Sequence, residues 1–135
     1  SKIGCSEYVV VSSMKSYKEL IVWQKGITFC EHIYDITRSF PKSELYGLTS
    51  QIQRSVVSIP SNIAEGQRRG HRQEFIQFLR IAYGSGAELE TQLIIATKIG
   101  YINESRFGTL NIELEEIMKM LNVLIRRLEE VAPRK

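Results

Sequence analysis

Between Tyr17 and Val131, apolar residues recur at alternating intervals of three and four along four successive segments. An α-helix turns once every 3.6 residues, so this spacing places each row on one helix face. A half-buried strand would alternate at every second residue, and no stretch of this region does so. The chain is therefore restricted to helices packed side by side.

The first segment runs from about Tyr17 to Ser39, with Leu20, Trp23, Ile27, Cys30 and Tyr34 spaced 3, 4, 3, 4 as its expected buried seam. Phe40-Pro41 ends it, because the residue before a proline avoids the helical region. Ser43 is the expected cap of the second segment, Glu44 to Gly66, whose row is Leu45, Leu48, Ile52, Val56, Ile59 and Ile63. Pro60 lies inside that row. It removes one backbone donor and crowds the preceding turn, which predicts a kink there, with two short helices as the alternative. Gly66 is the expected C-cap.

The third segment, His71 to Ile99, carries Phe75, Leu79, Ala82, Gly86, Leu89, Leu93 and Ala96, and Gly100 stops it. The fourth, Glu104 to Val131, carries Phe107, Leu110, Leu114, Ile117, Leu121, Leu124, Leu128 and Val131. Connections of a few residues favour antiparallel neighbours. The expected fold is all-α: an antiparallel up-down-up-down four-helix bundle over residues 17–131, with 1–16 a flexible extension and 132–135 a tail. Met14-Lys15 has the look of a natural start, so residues 1–13 read as upstream sequence. A strand-like tail that pairs with a neighbour is the alternative.

The 135 residues fit one domain, and 43% apolar with 24% charged residues is ordinary for a globular cytoplasmic protein. A net charge of +3 permits nucleic-acid binding without requiring it. No apolar run approaches the roughly 20 residues of a bilayer span, so no membrane partner is expected. Cys5 and Cys30 form no CxxC, and His32 and His71 have no i,i+4 partner, so no metal or other cofactor is expected. Phosphate loops, GxSxG elbows and HExxH are absent as well. No catalytic residue is assigned, and the chain is not expected to be an enzyme. An enzymatic alternative would rest on Glu65 and Glu88.

The third and fourth segments hold more apolar surface than one bundle needs. Ile76, Tyr83, Ala87 and Ile94 form a second row on the third; Ile112, Met118, Met120, Val123 and Ile125 lie off the main row of the fourth. Contiguous rows mark contact surfaces. Gly84-Ser85-Gly86-Ala87 further suggests close approach of another helix. The first of these rows is the candidate oligomer interface, and a wide core stripe within a monomer is the competing explanation.

Arg54, Ser58, Ser61, Asn62 and Glu65 fall near one face around Pro60, with Ser85, Glu88 and Gln92 as a facing stripe on the third segment. Arg54, Ser58, Asn62, Glu65 and Glu88 are expected to form a buried polar motif that steadies the kink, with an Arg54–Glu88 ion pair and Glu65 paired to Arg68 or Arg72. Ser61 or Asn62 is the expected partner of the carbonyl that Pro60 leaves free. The densest basic run, Gln67-Arg68-Arg69-Gly70-His71-Arg72, lies at the turn before the third helix, with Arg80 two turns on. A solvated loop is the plain reading. The functional one is phosphate contact by Arg68, Arg69, Arg72, Arg80 and Lys25.

Three stretches carry a resemblance: Tyr17-Lys18-Glu19-Leu20-Ile21-Val22-Trp23-Gln24-Lys25, Arg54 through Ser58-Ile59-Pro60-Ser61-Asn62-Ile63-Ala64-Glu65-Gly66, and Phe75 through Ser85 with Glu88 and Gln92. Together they resemble the four-helix bundle proteins encoded in intervening sequences of bacterial 23S rRNA genes, over about Tyr17 to Glu130, and the fold of the accessory variability determinant of diversity-generating retroelements. The resemblance implies a cytoplasmic homo-oligomer, with a pentamer favoured, and a genomic setting that points to RNA. The leading expectation is a non-enzymatic oligomer that binds RNA or DNA. The rival is a protein–protein scaffold or accessory subunit that binds no nucleic acid.

Overall fold

The structure, a computed structural model, describes residues 16–130. Within them lie four α-helices: α1 (Ile21–Thr37), α2 (Leu48–Arg68), α3 (Arg72–Lys98) and α4 (Glu104–Glu129). Short 3-10 turns at Tyr17–Glu19 and Lys42–Glu44 precede α1 and α2, and no strand occurs among the described residues. The expected extension before Ser16 and the tail, including Val131, lie outside them.

Cross-helix contacts give the direction of every pair. Gly26 of α1 touches Pro60 of α2, while Thr37 near the end of α1 bonds Gln53. Ser58 meets Ser85, and Gly66, later in α2, meets Phe78, earlier in α3. Gly86 faces Met118, and Arg80 reaches Glu129. Lys25 pairs with Glu116 and Asp35 with Arg106. Each helix thus runs opposite to the ones beside it, and α4 returns to α1.

The helix ends show why the chain turns where it does. Phe40 is buried and packs on Tyr101 at 5.3 Å between ring centroids. The N-cap of α2 is Gly47 rather than Ser43, and Glu44 supplies the side-chain acceptor there: its Oε1 accepts from the Leu48 amide (3.2 Å), and its Oε2 accepts from the Tyr101 hydroxyl (2.8 Å). Gly66 is not the C-cap, because α2 continues to Arg68 and the turn is made at Gly70, where φ is +77°. Gly100, with φ +91°, ends α3, and the Tyr101 amide donates back to the Ala96 carbonyl at 2.8 Å. Asn103 caps α4 by accepting from the Arg106 amide at 2.7 Å.

The expected rows of α3 and, as far as Leu128, of α4 are buried, apart from half-buried Phe107. In α2, Ile52, Val56, Ile59 and Ile63 are fully buried, while Leu45 precedes the helix and is 53% exposed. Of the expected α1 seam only Leu20, just before the helix, is buried in the core; within the helix another row takes its place. The buried residues are Val22, Gly26, Phe29, Ile33 and Ile36, whereas Ile27 and Tyr34 are exposed and Trp23 and Cys30 half-buried. Both rows repeat every three or four residues, so spacing alone does not choose between them. Phe29 and Ile33, both without solvent exposure, place the larger apolar volumes of α1 in the core.

Around Pro60 the helix is continuous, which sets aside two short helices. A proline at position 60 has no amide hydrogen for the Val56 carbonyl four residues back. Neither Ser61 nor Asn62 replaces it. The Cys30 thiol of α1 donates to the Val56 oxygen instead, with sulfur and oxygen 3.4 Å apart. Burial, with a smaller push from Glu31, raises this thiol to about 11, so it keeps its proton.

Candidate nucleic-acid interface

The basic turn joins the end of α2 to the start of α3, and its arginines have distinct local partners. Arg68 lies over the Tyr17 ring, with its guanidinium carbon 5.7 Å from the centroid. Arg69 lies over Phe78 at 5.1 Å and pairs with Glu65 one turn back at 3.0 Å. Glu65 thus pairs with neither Arg68 nor Arg72. Arg72 donates from Nη1 to the Leu128 carbonyl of α4 at 3.1 Å, satisfying an oxygen near the end of that helix. Arg80 pairs with Glu129, and Lys25 with Glu116 at 3.3 Å.

The five expected basic residues therefore differ in availability. Arg68, the last residue of α2, and Arg69, which opens the turn, are both exposed, and Arg68 has no ion pair among the described residues. Arg72 and Arg80 tie α3 to α4. Lys25 lies in another place: it lines a groove of about 320 Å³ between α1 and α4 with Ile21, Gln24, Thr28, Glu113, Glu116 and Ile117. His32 bridges the two helices nearby, its Nδ1 within 2.8–2.9 Å of both Glu113 oxygens.

The fold adds two arginines to this end of the bundle. Arg126 and Arg127 occupy the last turn of α4, which the Arg72–Leu128 bond holds against the first turn of α3. Sequence reasoning passed them over, although basic residues in a last turn are a helix-end signal. Glu74 in the first turn of α3 and Glu129 in α4 temper the positive charge.

The expected buried polar motif is only partly built. Ser58 and Asn62 are half-buried: the Ser58 and Ser85 hydroxyls are 2.7 Å apart, and the Asn62 amide donates to both Ser58 oxygens at 2.8 Å. Arg54, Glu65 and Glu88 are exposed, and no Arg54–Glu88 pair forms among the described residues. These charges point to water because burial without a partner would be costly. The Arg54–Gly66 segment is used for packing: Pro60 rests on Gly26, Ser58 bonds Ser85 of α3 while Asn62 bonds back to Ser58, and Gly66 lets Phe75 and Phe78 approach.

Of the candidate interface row, Ile76 is corrected to core at 5% exposure, while Tyr83, Ala87 and Ile94 are exposed. Ile81 and Ile95, with Ile99 just past the helix, add to the exposed apolar surface of α3. Gly86 serves the chain's own packing by making room for Met118, whereas Gly84 faces open space. On α4, Ile125 is buried and Ile112 is exposed.

Among the described residues no group of three or more His, Cys, Asp or Glu side chains is placed to hold a metal ion. No described helix is long and apolar enough to cross a membrane.

The sequence model of the 23S rRNA-intervening sequence protein family matches residues 18–123. The chain belongs to that family. A crystal structure of a protein of unknown function from the S23 ribosomal protein family of Bacteroides thetaiotaomicron is similar, with a TM-score of 0.73 and 28% sequence identity. The match covers 78% of this chain and 99% of that one. No curated protein matches the chain. Membership in the 23S rRNA-intervening sequence protein family thus accompanies a four-helix fold, while the similar structure is of a protein whose function is unknown.

Proposed function

We propose that this chain is a cytoplasmic, non-enzymatic homo-oligomer that binds RNA or DNA at the arginine-rich end of its bundle. The observation that carries the reading is Arg68 and Arg69 at the exposed α2–α3 turn, Arg68 with no carboxylate partner among the described residues. The Glu65–Arg69 pair is solvent-exposed, and such pairs are weak enough for a phosphate to displace. Guanidinium groups suit phosphate because their fork of donors matches its oxygens. Self-association is supported by the exposed residues Ile81, Tyr83, Ile94 and Ile95 of α3 and Ile99 at its end, with five copies the number implied by family resemblance.

The test uses protein purified without nuclease. Light scattering is expected to give a mass several times that of one chain, and the 260/280 nm absorbance ratio to reveal carried nucleic acid. Titration with an rRNA fragment across a salt series then reads the phosphate contacts. The double variant Arg68→Ala/Arg69→Ala is expected to weaken binding at least about ten-fold near physiological salt and to flatten the log–log salt slope by about 1.5. Arg72 is left intact in that variant because it holds α4. Affinity indifferent to salt, or to the two substitutions, would sink the nucleic-acid reading and favour the protein scaffold.

A further inference from the structure

We infer that the nucleic acid taken at this end is single-stranded, and that one of its bases stacks on the guanidinium of Arg68 beside Tyr17 and Trp23. This rests on the nucleic-acid reading above and adds a specific mode of contact to it. Arg68 is exposed, lies over the Tyr17 ring at 5.7 Å and has no ion pair among the described residues. A cation held over an aromatic face is oriented by the ring quadrupole. The guanidinium is thus held near the Tyr17 ring, and its exposure leaves it within reach of a second flat partner. Tyr17 is itself held by Trp23, in an edge-on arrangement with centroids 5.4 Å apart. The 3-10 turn that carries Tyr17 is fixed by Ser16, which accepts from the Lys18 amide, and by Gln24, which donates to the Lys18 carbonyl.

Bases inside a duplex are already stacked on both faces and cannot add to such a platform. Unpaired bases stack readily on aromatic rings and arginine planes. Lys18 and Arg69, both exposed and next in sequence to Tyr17 and Arg68, suit the flanking phosphates, and Glu19 disfavours phosphate on its own side. A simple electrostatic surface needs neither the Tyr17–Trp23 pair nor a planar cation.

The experiment compares a single strand of about a dozen nucleotides with a blunt duplex containing the same sequence, in RNA, at about 0.15 M salt. Trp23 is the chain's one tryptophan, so its fluorescence reports events at the platform. The single strand is expected to bind more tightly and to quench Trp23. Arg68→Lys keeps the charge and loses the plane. It is expected to weaken single-strand binding about five-fold or more and duplex binding less than about two-fold. Tyr17→Leu, with circular dichroism to confirm the helices, is expected to act in the same direction. Equal affinity for the two forms, unquenched Trp23 and a silent Arg68→Lys would overturn stacking and leave the phosphate reading standing. No binding of either form would end both.

Discussion

Phe29→Ala is expected to lower stability by about 3–5 kcal/mol, whereas Ile27→Ala is expected to cost less than about 1 kcal/mol. Phe29 has no solvent exposure and stands at the centre of the α1 contact face; Ile27, two residues away, is 39% exposed. Truncating the ring removes its transfer free energy and leaves a cavity that rigid neighbours refill only in part. At roughly 4 °C per kcal/mol for a domain of this size, the two variants would melt some ten degrees apart. Thermal unfolding followed by circular dichroism measures this directly. A comparable loss in both variants would mean that α1 is rotated from the orientation described.

Two glycines of adjacent helices should respond to the same substitution in opposite directions. A Cβ at Gly66 would lie 2.6 Å from the Phe78 Cβ and 3.1 Å from the Phe75 ring, atoms close to the α3 backbone that cannot swing aside. Gly66→Ala gains about 1 kcal/mol of helix propensity but forces α2 and α3 apart, for a net loss of about 2 kcal/mol. A Cβ at Gly84 meets nothing within 4 Å, so Gly84→Ala keeps the propensity gain of up to about 1 kcal/mol. Urea midpoints should bracket the parent protein, with Gly66→Ala below and Gly84→Ala above. A neutral Gly66→Ala would contradict the tight α2–α3 crossing.

The bundle was legible in the sequence because α3 and α4 are long and their main rows coincide with what the core buries. The orientation of α1 was not, because this helix is apolar on two faces and only the volumes of Phe29 and Ile33 against their neighbours decide between them. The basic turn was visible as a run of arginines, but the differences among them were not. Arg72 finds Leu128 and Arg80 finds Glu129 across 56 and 49 residues of chain. Likewise, Tyr17 becomes the support of Arg68 only once α1 and α2 lie antiparallel. Arg54 and Glu88 matched in charge and roughly in level, yet both face solvent, where neither needs a partner. Gly66 read as a stop signal because spacing cannot distinguish a glycine that ends a helix from one that admits an aromatic neighbour.

Pro60 and Cys30 should not vary independently among relatives of this chain. Wherever position 60 is proline, the Val56 oxygen has to obtain its hydrogen from α1, and the residue at 30 must be short and able to donate, as cysteine, serine and threonine are. Once another residue at 60 restores the amide, that demand disappears and alanine or valine becomes acceptable at 30. The two positions form a lineage constraint written across 26 residues of chain, and an alignment of relatives in which they drift separately would show that evolution has not felt it.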